Sequence, residues 1–354
     1  MTVIVSMTMS RLCSLLLAML VLAPCVVTVV GSSGDANYEF HMCRRSCKER
    51  ACGTGGSAGT GTATVLVPEL PVWSLGWSCG DDCRYDCTQQ SRERRERAGL
   101  SPEKFYGHWP FLRVWGMEEP ASAFFSVLNA VPHALHLPLH VPGLSVSAGW
   151  WGGWQGLVPS GHYMRPWLAF FPVVGVAAWS ASAAFHTKKT AVTIPLDYVG
   201  ALTLLSYCVW LAVRRAWGPR AKAGAVTAVF LSGAAATSLQ CARIACGQVP
   251  FQDHLHVSIA VAAAQSAVWV AWGLLGIGGT GSGSPFGRRC VLLQTWFGLA
   301  ALFEIFDFPP VWTHFDAHSL WHAATVPLGF AWYAFWRLDS NDAGGAVRAC
   351  TNKY

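Results

Sequence analysis

Seven apolar segments, at residues 121–140, 166–186, 192–213, 223–243, 256–277, 290–308 and 317–337, dominate this chain. Each is close to the ~20 residues that an α-helix needs to cross a hydrocarbon core about 30 Å thick. They predict an all-α membrane protein built on a seven-transmembrane helix bundle. Only 12% of the residues are charged and 53% are hydrophobic, whereas a soluble domain has roughly a quarter of its residues charged. The net charge of +6 is spread over short loops and a tract at residues 84–97. That distribution argues against nucleic acid as a partner and for charge that sets topology.

Before the first segment the sequence has two regions. Arg11 precedes an apolar run at 12–30, followed by small residues at 31–34, the pattern of an export signal over residues 1–33. The run is long for a signal peptide, so an uncleaved anchor stays open; in either case the residues after it are exported. Residues 34–118 form a polar region with six cysteines, Cys43, Cys47, Cys52, Cys79, Cys83 and Cys87. An even count in an exported segment predicts three disulfides, with 15 pairings possible. The four-residue spacings within each cluster place sulfurs on single helix faces, so a disulfide-stapled helical hairpin is expected. Zinc is the rival for these cysteines, but the usual C-x2-C spacing is missing. The Gly-rich residues 53–64 read as a linking loop.

Arg214, Arg215, Arg220 and Lys222 lie between the third and fourth segments, and Arg288 and Arg289 between the fifth and sixth. These six basic residues assign both loops to the cytosol, with the cysteine-rich region in the lumen and residues 339–354 a cytosolic tail. Lys188 and Lys189, between the second and third segments, run against that rule. Residues 119–338 then form one membrane-embedded seven-helix domain.

The topology gathers five polar residues at one membrane depth. Ser182 and His186 sit in AWSASAAFHT at the lumenal end of the second segment, Asp197 in IPLDYVG at the start of the third, and His318 and His322 in FDAHSLWH at the start of the last. An Asp at mid-membrane costs roughly 2.5–3.5 kcal/mol on insertion scales, so a cluster of ionisable groups requires a function. Four-residue spacing puts Ser182 with His186, and His318 with His322, on single helix faces. Three imidazoles and a water make an open catalytic zinc site, in which zinc lowers the pKa of its water to about 7. His186, His318 and His322 are therefore the expected metal ligands. Asp197 is suited to accept the water's proton, and Ser182 to hydrogen-bond a developing oxyanion.

Two other readings use the same residues. As a serine-hydrolase triad, Ser182, His186 and Asp197 leave His318 and His322 without a role, and no G-x-S-x-G elbow is present. As hydrogen-bond glue between helices, a single histidine is ordinary, whereas five such residues at one depth are not. Asn129, Arg243, Glu304 and Asp307 are expected to line the cavity or to pair between helices. His133, His136, His140, His254, His256 and His314 are expected at solvated membrane borders.

Ser-x3-His, an Asp eleven residues further on and a terminal H-x3-H resemble the CREST superfamily of seven-span proteins, which includes alkaline ceramidases and the adiponectin and progestin receptors. Within it, GWSCGDDCRYDC, FYGHWPFLRVWGMEEPASAFFS, FHT at 185–187 and FDFPPVWTHFDAHSLWH are similar, in order, to the Per-one-like family. That resemblance implies zinc held by His186, His318 and His322 with Ser182 and Asp197 as polar partners. It also implies a GPI-specific phospholipase A2, which removes the sn-2 acyl chain from GPI-anchored proteins in the Golgi apparatus or endoplasmic reticulum, with its site facing the lumen. Lys188 and Lys189 stand where the family pattern has an acidic residue. A ceramidase-like amidase, and a receptor or folding factor with structural zinc, are the alternatives.

Overall fold

The computed structural model describes residues 32–52, 76–137, 157–249, 251–276 and 285–351. The predicted signal segment up to residue 31, the Gly-rich loop and His140 lie outside them. The described residues form helices and isolated bridges without strands, and the helices divide into an N-terminal hairpin and a bundle.

The hairpin is α1 (Tyr38–Ala51) and α2 (Cys79–Arg97). Asn37 caps α1 by accepting from the backbone N–H groups of Glu39 and Phe40. Ser78 and Asp81 form a capping box at the start of α2, each cap satisfying amides that the helix itself cannot. The disulfides are Cys43–Cys87, Cys47–Cys83 and Cys52–Cys79. They are nested, as two antiparallel helices with facing sulfur stripes require. All six sulfurs are thereby used, which removes zinc from this region. Phe40, Cys87 and Phe105 form its small core, too little apolar material to hold a domain of this size without covalent staples.

The bundle comprises α3 (Pro120–Ala134), α4 (Arg165–Thr187), α5 (Thr193–Trp217), α6 (Ala223–Ala245), α7 (Phe251–Leu275), α8 (Pro285–Phe306) and α9 (Ala317–Thr351). Helices α4 to α8 are long and apolar enough to cross a membrane. Helix α3 has 15 residues, about 22 Å at 1.5 Å per residue, and α9 carries His318, Ser319 and His322 in its first turns. The two helices that fall short of the apolar standard are those that turn polar faces inward. Packing runs α3–α4–α5–α7–α8–α9 and back to α3, closing a ring of six, while α6 lies outside it against α5.

Small residues set the approach of the helices around α3, as is usual where lipid supplies no hydrophobic drive for helix association. A Cβ on Gly175 of α4 would lie 2.1 Å from His133 Nδ1, and one on Gly329 of α9 would lie 2.9 Å from Pro132 Cγ. At the end of the bundle remote from the hairpin, Arg215 makes two hydrogen bonds to Asp339, at 2.7 and 2.6 Å. Both partners are buried. Asp339, the first residue of the expected tail, is thus tied into the bundle, and α9 runs through this point without a break.

The hairpin end and the bundle meet through backbone as well as side chains. Glu118 N–H and Glu119 N–H donate to the last carbonyls of α4, those of Thr187 and His186, each at 3.0 Å. Leu112 N–H donates to Thr313, and Trp77 Nε1–H to Gly116. Lys188 and Lys189, which oppose the topology rule, are used here. Lys188 donates to Gly76 O and lies over the Trp77 ring, and Lys189 pairs with Glu118 and Glu119. Their charge is answered by acids beside the hairpin.

Candidate metal centre and cleft

His186 closes α4, Asp197 lies in the first turns of α5, and His318 and His322 lie in the first two turns of α9. All sit at the end of the bundle that carries the hairpin. One ring nitrogen from each of His186, His318 and His322 lies within 4.8 Å of the other two. His318 Nε2 is 3.3 Å from His186 Nε2 and 2.9 Å from His322 Nε2.

The opposite ring nitrogens decide which atoms face inward. His186 Nδ1 lies 2.5 Å from Glu119 Oε2, and His318 Nδ1 lies 2.7 Å from Glu304 Oε2. An ionised carboxylate can only accept, so both Nδ1 atoms carry a proton, and in the neutral rings that metal ligation requires both Nε2 atoms present a lone pair. Ser126 donates its hydroxyl proton to Ser122 O at 2.8 Å, leaving its oxygen to accept from His322 Nδ1 at 3.2 Å. Three lone pairs therefore converge on one point. Facing one another at these separations they repel unless a cation lies between them. A tetrahedral centre with bonds of 2.0–2.1 Å spaces its donors about 3.3–3.4 Å apart, and the histidine set fits such an ion.

Each imidazole thus has an outer partner of the kind that fixes ligand tautomer and ring angle in metal sites. Sequence reasoning gave Glu119, Ser126 and Glu304 no such part. The signal for two of them was present: Glu119, Ser122, Ser126, Asn129, His133 and His136 recur at spacings of three and four, one face of α3, and all six are buried. Asn129 donates to His322 O at 2.8 Å. Lower on the stripe, His133 shares a hydrogen bond with the Tyr333 hydroxyl and His136 stacks on the Tyr333 ring at 3.9 Å. His254 stacks on Tyr198 at 4.3 Å. These three histidines are packed inside the bundle, contrary to the solvated position expected for them, because each ring has an aromatic partner there.

Glu119 is the junction of the site. Burial alone would raise its carboxyl, but Lys189 and His186 beside it hold it well below its ordinary value. Ser182 lies between Ser126, with the oxygens 3.2 Å apart, and Asp197, which also faces His186 and His318. The structure brings all five sequence-predicted residues together. Above them opens a small cleft of about 90 Å³, lined on the bundle side by Asp197, His186 and His318 and on the hairpin side by residues of 104–111.

Fold and site together define a multi-pass helical membrane protein with a three-histidine centre beneath the segment that follows a disulfide-stapled hairpin. Residues 70–340 match the Per1-like family, and the chain belongs to it. It is 31% identical to the Xenopus tropicalis protein named GPI-specific phospholipase A2-like PGAP3, over 88% of this chain and 92% of that one. It is 30% identical to the Drosophila melanogaster post-GPI attachment to proteins factor 3, over 90% and 93%. A human protein named GPI-specific phospholipase A2-like PGAP3 is 26% identical over 91% and 93%. No solved structure matches the chain.

Proposed function

We propose that this protein is a zinc-dependent, GPI-specific phospholipase A2 that remodels the lipid of GPI-anchored proteins by hydrolysing the sn-2 ester. The observation that carries the reading is the convergence of three Nε2 lone pairs, each backed by an acceptor on Nδ1, at the floor of an open cleft. The names of the relatives support the substrate class.

His186, His318 and His322 hold the metal through Nε2, with Glu119, Glu304 and Ser126 fixing the rings. Bound zinc supplies Lewis-acid polarisation of an ester carbonyl and makes a water acidic near neutral pH. Asp197 accepts the proton of the attacking water. Ser182 donates a hydrogen bond to the carbonyl oxygen as negative charge develops on it. The tetrahedral carbon then expels the sn-2 alkoxide, which takes the proton from Asp197, leaving a lysolipid and a free fatty acid. The low-dielectric surroundings of α3 and α4 strengthen each of these interactions.

A serine triad is disfavoured by the ring contacts of His186. Its two nitrogens face Glu119 and His318, while Ser182 turns to Ser126 and Asp197. The site lies at the hairpin end of the bundle, and the basic last turns of α5, with Arg214 and Arg215, lie at the other. With an exported hairpin, that arrangement supports a site at the lumenal headgroup level, where GPI-anchored proteins display their glycerol esters. Residence in the Golgi apparatus or endoplasmic reticulum follows from the same substrate.

The test is hydrolysis by the purified protein of defined diacyl-GPI and of ceramide, with and without a chelator. Release of the sn-2 fatty acid from diacyl-GPI, abolished by chelation and restored by zinc, is expected. Ceramide cleavage in its place would assign the site to an amidase, and chelator-insensitive turnover would remove the metal from the chemistry.

A further inference from the structure

The cleft is acidic for a site that is to receive a phospholipid. Glu119, Asp197, Glu304, Asp307 and Asp316 all line it. Among the described lining residues, Lys104 is the single Lys or Arg. It comes from the segment after the hairpin, and its position is tightly fixed. Lys104 O accepts from Gly34 N–H at 3.0 Å. A Cβ on Gly34 would lie 2.6 Å from that oxygen and from the Phe105 ring, so this contact requires the bare backbone.

The Lys104 ammonium lies over the Trp109 ring, 5.0 Å from its centroid, and pairs with Asp307 Oδ2. Trp109 Nε1–H donates to the other oxygen of the same carboxylate at 3.0 Å. A cation and an indole N–H thus converge on one anion at the rim of the cleft. Asp307 presents that anion from a backbone with φ of +41°, the sparsely populated left-handed region. Residues held in such conformations concentrate at ligand sites.

We propose that Lys104 is a specificity-determining residue. With Trp109 it binds the phosphodiester of a glycerophospholipid substrate, in the place that the Asp307 carboxylate takes in the free protein. The inference rests on the phospholipase reading and extends it to the headgroup. In a glycerophospholipid the sn-2 ester and the phosphodiester sit on adjacent glycerol carbons, so an ester held at the three histidines carries its phosphate within the same cleft. A neutral lipid with the same ester, or a ceramide, gains nothing from Lys104. The phosphodiester is common to GPI anchors and to free phosphatidylinositol, and preference between those two resides elsewhere.

The experiment compares the full-length protein with Lys104→Gln, Lys104→Arg and Asp307→Asn on diacyl-GPI, phosphatidylinositol and diacylglycerol in mixed micelles. Loss of one charge-assisted hydrogen bond predicts a KM for both phosphodiester lipids raised roughly 10- to 100-fold in Lys104→Gln. Its kcat, its KM for diacylglycerol and the ratio between the two anionic lipids should stay near wild type, with Arg restoring most of the loss. Asp307→Asn, which removes the competing anion, should lower KM for the phosphodiester lipids. Equal losses on neutral and anionic lipids in Lys104→Gln would overturn the proposal. So would a KM in Asp307→Asn that rises as it does in Lys104→Gln, because the pair would then be only a structural clamp. Calorimetric binding of glycerophosphoinositol to wild type and Lys104→Gln decides the point without turnover. If no lipid is hydrolysed but this binding depends on Lys104, the phospholipase reading fails and the phosphodiester site stands.

Discussion

Glu119 is where the segment after the hairpin, the bundle and the metal centre are joined, and replacing it with Gln isolates one contribution. The substitution keeps the shape and removes the charge. Glu119 Oε2 accepts from His186 Nδ1 at 2.5 Å while Oε1 faces Lys189, and its side chain is 7% exposed. Hydrogen bonds to charged groups contribute about 1.5–3 kcal/mol and neutral ones about 0.5–1.5. The His186 contact therefore weakens by about 1–1.5 kcal/mol, close to one decade in affinity at 1.4 kcal/mol per factor of ten. Outer partners of metal-bound imidazoles typically contribute 10- to 100-fold, so Glu119→Gln should weaken zinc binding about tenfold. The assay is competition with a chelator of known affinity on detergent-purified protein, with helicity monitored in parallel. Lys189→Gln is the control: it cuts the other branch of the junction and leaves the His186 contact in place, so its zinc affinity should move far less. A folded Glu119→Gln protein with wild-type zinc affinity would refute the argument that this carboxylate orients His186.

Other expected outcomes concern chemistry, topology and packing. Ser182→Ala should retain metal and fold but lose about 10²- to 10³-fold in rate, as for other lost oxyanion donors, and Asp197→Asn should likewise keep zinc while losing turnover. A covalent acyl group trapped on Ser182 would restore the serine triad, and full remodelling of a GPI-anchored reporter by Asp197→Asn would show that the carboxylate is misassigned. In sealed, oriented vesicles with the exposed Cys246 replaced by Ser, a cysteine at Val311 should react with an impermeant thiol reagent from the lumenal side. One at Arg220 should be protected there, and the reverse pattern would invert the bundle. Gly175→Ala drives a methyl into His133 and should cost about 1–3 kcal/mol by overpacking. An unchanged thermal midpoint in detergent would show that the α3–α4 approach is looser than described.

Much of this arrangement is legible in the sequence because membranes impose simple rules. Apolar length locates the spans, and ionisable residues that hydrocarbon would reject mark the site, which is why Ser182, His186, Asp197, His318 and His322 stand out in advance. Their outer partners are harder to see. Glu119 directly precedes Pro120 at a helix start, where an acid is ordinary, and nothing local couples it to a histidine 67 positions away. Glu304 lies near a span end, where an acid is equally ordinary, so it suggests a cavity without naming His318. Ser126 is a small hydroxyl of the kind that packs any membrane helix. Four-residue cysteine spacing gives the helical hairpin, but the pairing Cys43–Cys87, Cys47–Cys83 and Cys52–Cys79 needs the antiparallel register, which depends on contacts far apart in the chain. Lys188 and Lys189 run against the topology rule, and their charge is met within the protein by Glu118, Glu119 and the Trp77 ring.

The central claim is that His186, His318 and His322 hold a zinc ion on which phospholipase activity depends. The most direct measurement is zinc content per chain, by elemental analysis, alongside sn-2 fatty acid release from diacyl-GPI, in wild type and in the His318→Ala, His322→Ala double variant. About one zinc per chain in the wild type, with metal and activity lost together in the folded double variant, is the predicted result. Full zinc occupancy or undiminished hydrolysis in that variant would contradict the account.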